Sequence, residues 1–101
     1  MTAYDHPEKD LEREGVRHAH RDYLRSFGTR LIASGALLDQ DAKTIIGGAS
    51  LLDTDDFAEA QRFEAEDPYA KAGIRAHVQI TQWRLRWWLG SFNSQGHDLS
   101  G

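Results

Sequence analysis

His20 and Asp67 are the two side chains of this 101-residue sequence whose types and spacing best suit proton transfer. His20 precedes Leu24 by four residues and Phe27 by seven, which places the imidazole on the apolar face of a predicted helix. Asp67 follows Phe63 by four residues, at the end of a second predicted helix. An imidazole that a carboxylate orients works as a general base or acid. We therefore predict that His20 and Asp67 form a catalytic pair.

Each of these residues also has a purely structural interpretation. Asp67 precedes Pro68, a pattern typical of a helix N-cap followed by proline at the first helical position. A lone histidine on an apolar stripe is more often a core residue than a catalytic one. The aromatic set at the end of the chain favours a core or dimer patch over a ligand site; it comprises Trp83, Trp87 and Trp88. The catalytic interpretation therefore depends on whether the fold brings the histidine and the aspartate together.

Two segments with helical periodicity would position the pair. Residues 17–34 carry an apolar stripe, and Gly35 follows as a predicted left-handed C-terminal residue. Residues 53–67 form the second predicted helix, which Thr54 or Asp55 can cap. Pro68 ends it, because proline disfavours helical geometry at the preceding residue. The polar stretch 5–15 is interpreted as a solvated connection.

Four segments have strand character. Residues 74–83 alternate between apolar and polar side chains, so Ile74 and Arg75 are expected on opposite faces. Residues 36–41 and 44–52 predict a β-hairpin, and Gly47-Gly48 within it predicts a bulge or a close backbone approach. The opening residues MTAY are long enough for a short first strand.

The predicted order β-α-β-β-α-β is that of an α+β, ferredoxin-like split antiparallel sheet with two helices on one face. The other face suits a second subunit, so we predict a homodimer or a higher homo-oligomer. The chain directions place the start of the first helix beside the end of the second, which brings His20 and Asp67 to one rim. A helix N-terminus disfavours a protonated imidazole, and a neighbouring carboxylate favours it. The side chains expected to bind substrate at the same rim are Arg17, Asp5, Tyr69 and Arg75.

Composition limits the classes of function. The chain has 12 Lys+Arg against 16 Asp+Glu, which argues against nucleic acid and anionic membranes as partners. It has no cysteine, so thiolate metal sites and cysteine nucleophiles are excluded. His18 and His20 lie about 200° apart on a helix, so they do not predict a metal site. Neither a secretory signal nor a membrane span is predicted, and we expect a cytoplasmic protein without a cofactor. Residues 1–89 are predicted as one domain and 90–101 as a flexible tail.

The sequence resembles a known family over residues 4–83. Residues 17–24, RHAHRDYL, resemble the R-x-x-H-x-x-Y-L helix start of the YCII-related (YciI-like) proteins. Residues 66–74, EDPYAKAGI, are similar to the D-P-[FY]-x-x-A-G-[ILV] signature of that family. The segments SGALLD and FAEAQRF and the motif Tyr4-Asp5-x-Pro7 are similar to further parts of it. The first strand is unusually short for the family, and the tail continues past the family's usual end.

The resemblance implies a dimeric α/β barrel whose active site is a histidine–aspartate pair, here His20 and Asp67. An activity associated with the family is removal of HCl from a chlorinated hydroxyhydroquinone. We therefore expect a small cofactor-free lyase of the dehydrochlorinase type that acts on a hydroxylated aromatic. Two alternatives stay open: an isomerase or cycloisomerase that acts on lactones of aromatic degradation, and a non-catalytic module that binds a small ligand.

Overall fold

The computed structural model describes residues 1–88, together with the backbone of 91–92. The elements of the main sheet and its helices are β1 (Thr2–Asp5), α1 (Asp10–Arg25), β2 (Leu31–Leu38), β3 (Ile45–Leu52), α2 (Phe57–Ala65), α3 (Pro68–Lys71) and β4 (Arg75–Gln79). The four strands form one antiparallel sheet in the order β2-β3-β1-β4. This order confirms the predicted ferredoxin-like α+β fold.

The helices α1 and α2 pack against the same face of the sheet. Asp5 of β1 forms an ion pair with Arg13 of α1, and Arg75 of β4 contacts Glu64 of α2. Asp5 and Arg75 are directly paired in the β1–β4 ladder, and paired residues of neighbouring strands point to the same side. The helix-facing side of the sheet is therefore the side on which the charged residues meet.

The first helix begins and ends earlier than predicted. It starts at Asp10, so residues 10–15 are helical and not a connection. Acidic residues in its first turn interact favourably with the positive N-terminal end of the helix dipole. Ion pairs between residues three apart also stabilise the helix. Leu11 and most of its neighbours are exposed, so residues 5–15 carry no apolar stripe that would predict a helix.

The predicted helical stripe over 17–34 continues into a strand. Gly28 has a φ of 57°, a left-handed conformation that glycine adopts without steric cost. A short 3-10 turn over Gly28–Arg30 follows, and β2 begins at Leu31. Residues 31–35, including Gly35, therefore pair with β3. The hairpin is confirmed, but its first strand is Leu31–Leu38, where the sequence predicts 36–41.

The second helix is shorter than predicted, and it is capped one or two residues later. Asp56 is the N-cap of α2 and accepts a hydrogen bond from the backbone N–H of Ala58 over 2.9 Å. Tyr23 of α1 donates a hydrogen bond to the carbonyl oxygen of Phe63 over 2.9 Å. The aromatic rings of Tyr23, Phe27 and Phe63 also contact one another. This contact between the two helices sets the position of the end of α2 relative to α1.

Gly47 confirms the predicted close backbone approach. It lies in β3 opposite Tyr4 of β1, and a Cβ atom at this position would overlap the carbonyl oxygen of Ala3. The central pairing of the sheet thus requires a residue without a side chain here.

We expect Gly47→Ala to lower the free energy of unfolding by about 1–3 kcal/mol or more, because β1 must shift to make room for the methyl group. Denaturant unfolding of the purified variant measures this. Gly35→Ala is the matched control, since a Cβ atom at Gly35 meets nothing within 4 Å, and it should stay within about 0.5 kcal/mol of the wild type. Equal stabilities of the two variants would contradict the close approach.

The end of the described chain forms a two-stranded ribbon. Trp87–Trp88 (β5) pairs antiparallel with Ser91–Phe92 (β6). The predicted tail over 90–101 lies outside the described residues, apart from this second strand. Within the described part of the chain, no helix has both the length and the apolar character needed to cross a membrane.

Candidate active site

His20 and Asp67 meet as the sequence predicts. Nδ1 of His20 lies 2.8 Å from Oδ1 of Asp67, and Asp67 is only 1% exposed. Because α1 begins at Asp10, His20 lies more than two turns inside the helix and not one turn from its start. The predicted influence of the helix N-terminus on the imidazole therefore falls away, since it extends only over the first turn. The carboxylate of Asp67 is the group that acts directly on His20.

The position of Asp67 comes from its role as a helix cap. It is the N-cap of α3, and its Oδ1 atom also accepts a hydrogen bond from the backbone N–H of Tyr69 over 2.8 Å. Pro68 occupies the first helical position, as the sequence predicts. The structural and the catalytic interpretations of Asp67 are thus compatible, because the cap holds the carboxylate where His20 can reach it.

The hydrogen bond assigns the tautomer of His20. A carboxylate only accepts hydrogen bonds, so the proton between Asp67 and His20 belongs to Nδ1. Nε2 is then the ring nitrogen left to exchange a proton with a ligand. The His20 side chain is 16% exposed, so it is largely desolvated but not sealed from the solvent.

Tyr69 covers one face of the imidazole. Its ring stacks on that of His20, with the centroids 3.9 Å apart and the planes at 14°. Burial raises the pKa of Tyr69, while the cations of α1 oppose the increase. The phenol therefore stays neutral around pH 7 and can donate a hydrogen bond.

Arg75 lies on the face of the sheet opposite to that predicted from simple alternation. The β1–β4 pairing shifts register between Tyr4 and Asp5, and such an irregularity can re-aim a side chain. As a result, the Arg75 side chain is 7% exposed and its Nη2 atom lies 3.4 Å from Oδ2 of Asp67. The sequence pattern gave no sign of this shift.

Glu64 is a further residue of the site that the sequence analysis missed. It is 5% exposed, and its Oε1 atom lies 3.2 Å from Nε of Arg75. Burial raises the pKa of Glu64, and Arg75 opposes this increase. The signal in the sequence is slight: a glutamate next to the inward-facing Phe63, three residues before Asp67.

Asp5 supports the site from β1. Its carboxylate forms an ion pair with Arg13, and both side chains are nearly buried. Asp5 is not among the described side chains that line the cavity in front of His20, whereas Arg13 is. Direct contact between Asp5 and a substrate stays a prediction.

The cavity in front of the pair has a volume of about 680 Å³. Its charged and aromatic lining comes mainly from α1 and α3, and its small residues come from the β2–β3 hairpin. Lining residues include Arg13, Arg17, His20, Arg21, Tyr69 and Gly48. Of the four predicted substrate-binding residues, Arg17, Tyr69 and Arg75 line this cavity. Arg21 also lines the cavity, which the sequence did not predict.

This arrangement suits an organic anion better than a metal ion. Among the described residues, no group of three or more histidine, aspartate or glutamate side chains could hold a metal. Arginines, by contrast, recognise carboxylates and phenolates through charge-assisted hydrogen bonds. The site can therefore bind a small anion or phenol next to a histidine that is able to transfer a proton.

Arg17→Gln is expected to weaken binding of a phenolic ligand about tenfold, because a charge-assisted hydrogen bond contributes roughly 1.5–3 kcal/mol and the half-exposed site reduces this. Arg25→Gln is the matched control, since Arg25 lies on the same helix, pairs with Asp22 and does not line the cavity. Isothermal titration with a hydroquinone measures both affinities. Equal affinities for the two variants would remove Arg17 from the binding site.

Comparisons with known proteins agree with this fold. The sequence model of the YCII-related domain matches residues 1–84. A similar solved structure is that of the 5-chloro-2-hydroxyhydroquinone dehydrochlorinase TftG from Burkholderia phenoliruptrix AC1100, in complex with 2,5-dihydroxybenzoquinone. The likeness has a TM-score of 0.73 and 24% sequence identity, and it covers 81% of this chain and 88% of the other. No curated protein sequence matches the chain. The match over most of its length identifies the chain as a member of the YCII-related domain family.

Proposed function

We propose that this protein is a cofactor-free enzyme that removes HCl from a hydroxylated, chlorinated aromatic such as a chlorohydroxyhydroquinone. The observation that carries the proposal is the 2.8 Å contact between His20 Nδ1 and Asp67 Oδ1 at the wall of an open cavity. It occupies Nδ1 and leaves Nε2 free to exchange a proton, on a residue that lines the space a ring would occupy.

The reaction needs only proton transfer and a leaving group. Nε2 of His20 takes the proton of a ring hydroxyl and delivers it to the ring carbon that bears chlorine, so that the hydroxyl becomes a carbonyl and the chlorine-bearing carbon becomes tetrahedral. Loss of a second hydroxyl proton then forms the second carbonyl of the quinone, the ring electrons shift toward the tetrahedral carbon, and the C–Cl bond breaks with its electron pair leaving on chloride. The products are a quinone, chloride and a proton. No oxidant is required, because the chlorine leaves with the electrons that the ring gives up.

The neighbouring side chains suit this chemistry. Asp67 stabilises the imidazolium formed when His20 takes a proton, as in other histidine–carboxylate pairs. Arg17, which is 44% exposed at the cavity wall, would stabilise the phenolate that develops on the ring. General base catalysis of this kind contributes about 10²–10⁴-fold to a rate.

The structural neighbour supports the choice of substrate class. Its name describes dehydrochlorination of a chlorinated hydroxyhydroquinone, and its bound ligand is a dihydroxybenzoquinone. A planar ring of that size is compatible with a cavity of about 680 Å³. A sequence identity of 24% supports a similar fold only. The proposed reaction of this chain therefore rests on the geometry of its own site.

Chloride release from chlorinated hydroquinones, followed by ion chromatography, tests the proposal directly. We expect chloride and a quinone in equal amounts from the wild-type protein. Conversion to a product of unchanged mass would instead indicate an isomerase or cycloisomerase with the same acid–base pair. Binding without turnover of any substrate would indicate a ligand-binding module.

We further propose that two copies of the chain associate through the sheet face opposite to the helices. Tyr4 stands on the central strand β1 with 46% of its surface exposed, whereas its neighbour Ala3 is fully buried on the helix side. His77, which pairs with Tyr4, is also exposed. Light scattering after size-exclusion chromatography should give twice the 11.4 kDa of one chain. A mass of 11.4 kDa at micromolar concentration would contradict the dimer.

A further inference from the structure

Glu64 is a buried carboxylate that contacts Arg75 and does not belong to the cavity lining. It is 5% exposed, and a ligand in front of His20 would meet the lining residues of the cavity, not Glu64. Among the described residues, neither of its carboxylate oxygens has a hydrogen-bond donor. Its ion-pair partner in the described part of the chain is Arg75, whose Nε atom lies 3.2 Å from Oε1. A carboxylate buried in this way is disfavoured unless a cation compensates it, so Glu64 depends on Arg75.

Arg75 connects Glu64 to the site. Its guanidinium contacts Glu64 through Nε and Oδ2 of Asp67 through Nη2, the latter over 3.4 Å. The guanidinium carbon also lies 5.7 Å from the centre of the Tyr69 ring. A planar guanidinium held between two carboxylates has little freedom to turn. The four charged or titratable side chains therefore form one array in the order His20, Asp67, Arg75, Glu64.

The two carboxylate oxygens of Asp67 make different contacts, and this determines how Arg75 affects His20. Oδ1 accepts from His20 and from the backbone of Tyr69, and Oδ2 faces Arg75. If Arg75 moved fully onto Asp67, it would rotate the carboxylate and draw its charge away from the imidazole. Glu64 opposes that movement, because it attracts the same guanidinium from the other side.

We propose that Glu64 is a positioning residue that, through Arg75, keeps the carboxylate of Asp67 directed at Nδ1 of His20. The expected effect on kcat rests on the proposed function, whereas the expected effect on the orientation of the Asp67 carboxylate does not. Glu64 acts through another residue, so its loss affects the turnover of a bound substrate more than the binding of that substrate.

Glu64→Gln tests the proposal, because it removes the charge and keeps the shape. The matched control is Glu66→Gln, which makes the same change two residues away on the exposed side. The first readout is the proton resonance of His20 Nδ1–H in the protein without ligand. We expect a sharp downfield signal in the wild type and in E66Q, and a broadened or missing signal in E64Q. The second readout is chloride release, where kcat of E64Q should fall about tenfold or more, as expected when a catalytic group is displaced by less than an ångström, while KM stays near the wild-type value.

Two further variants keep the test decisive. E64D retains the charge and should restore the Nδ1–H signal and most of kcat. R75K serves if E64Q does not fold, because a lysine cannot contact both carboxylates as the guanidinium does, and it should also lose the signal. A wild-type signal and a wild-type kcat in E64Q, or in R75K where E64Q is unfolded, would overturn the proposal. Loss of the signal in E64Q, in a protein whose wild type releases no chloride, would uphold the positioning role and reject the proposed reaction.

Discussion

His20→Ala is expected to lower the rate of chloride release by about 10²–10⁴-fold, the usual contribution of a general base. Among the described residues, His20 is the histidine that lines the cavity and is hydrogen-bonded to a carboxylate, and the variant loses it. The effect should fall mainly on kcat, because Arg17 and Tyr69 still line the binding space. Initial rates at saturating substrate, with circular dichroism as the check on folding, measure the change.

His18→Ala is the matched control for this prediction. His18 lies on the same helix, two residues away, and is exposed to solvent outside the cavity. It should release chloride at the wild-type rate. An H20A variant that is folded and as active as H18A would show that proton transfer does not pass through His20.

Asp67→Asn is expected to reduce chloride release by a similar factor, about 10²–10⁴-fold, because an amide neither stabilises an imidazolium nor holds the same tautomer of histidine. Asparagine caps helices as well as aspartate does, so the N–H of Tyr69 keeps its acceptor. The variant also leaves Arg75 with Glu64 as its remaining carboxylate partner among the described residues. Removing one partner of a buried charged network costs up to about 3–5 kcal/mol, so we expect a lower unfolding free energy as well.

Asp56→Asn separates these effects from those of helix capping. Asp56 caps α2 as Asp67 caps α3, but it is exposed and lies away from His20. The D56N variant should keep the wild-type rate and lie within about 0.5 kcal/mol of wild-type stability. If D67N matched D56N in rate, Asp67 would be a cap and nothing more.

The pairing of His20 with Asp67 could be predicted because it depends on topology. The β-α-β-β-α-β order and the break at Pro68 place the end of the second helix beside the first helix, although His20 lies further along that helix than predicted. The predicted bounds of the first helix were wrong for a local reason. Apolar residues continue at helical spacing past Phe27, and the left-handed backbone of Gly28 is not visible in that pattern.

The array behind the pair could not be predicted from spacing. Arg75 reaches Asp67 because the β1–β4 ladder changes register beside Asp5, and simple alternation assigns it to the other face. Within the described residues, Glu64 is connected to the site only through its contact with Arg75. A shift of register inverts the facing of every side chain beyond it, so one irregularity of backbone pairing determined which charges meet.

A crystal structure with a hydroquinone bound is the sharpest test of proton transfer through His20, because it locates the reacting hydroxyl relative to the imidazole. We expect a ring in the cavity lined by Arg17 and Tyr69, with a hydroxyl oxygen about 2.6–3.2 Å from Nε2 of His20. A ligand bound elsewhere, or a hydroxyl turned away from Nε2 while His20 and Asp67 keep their 2.8 Å contact, would contradict it.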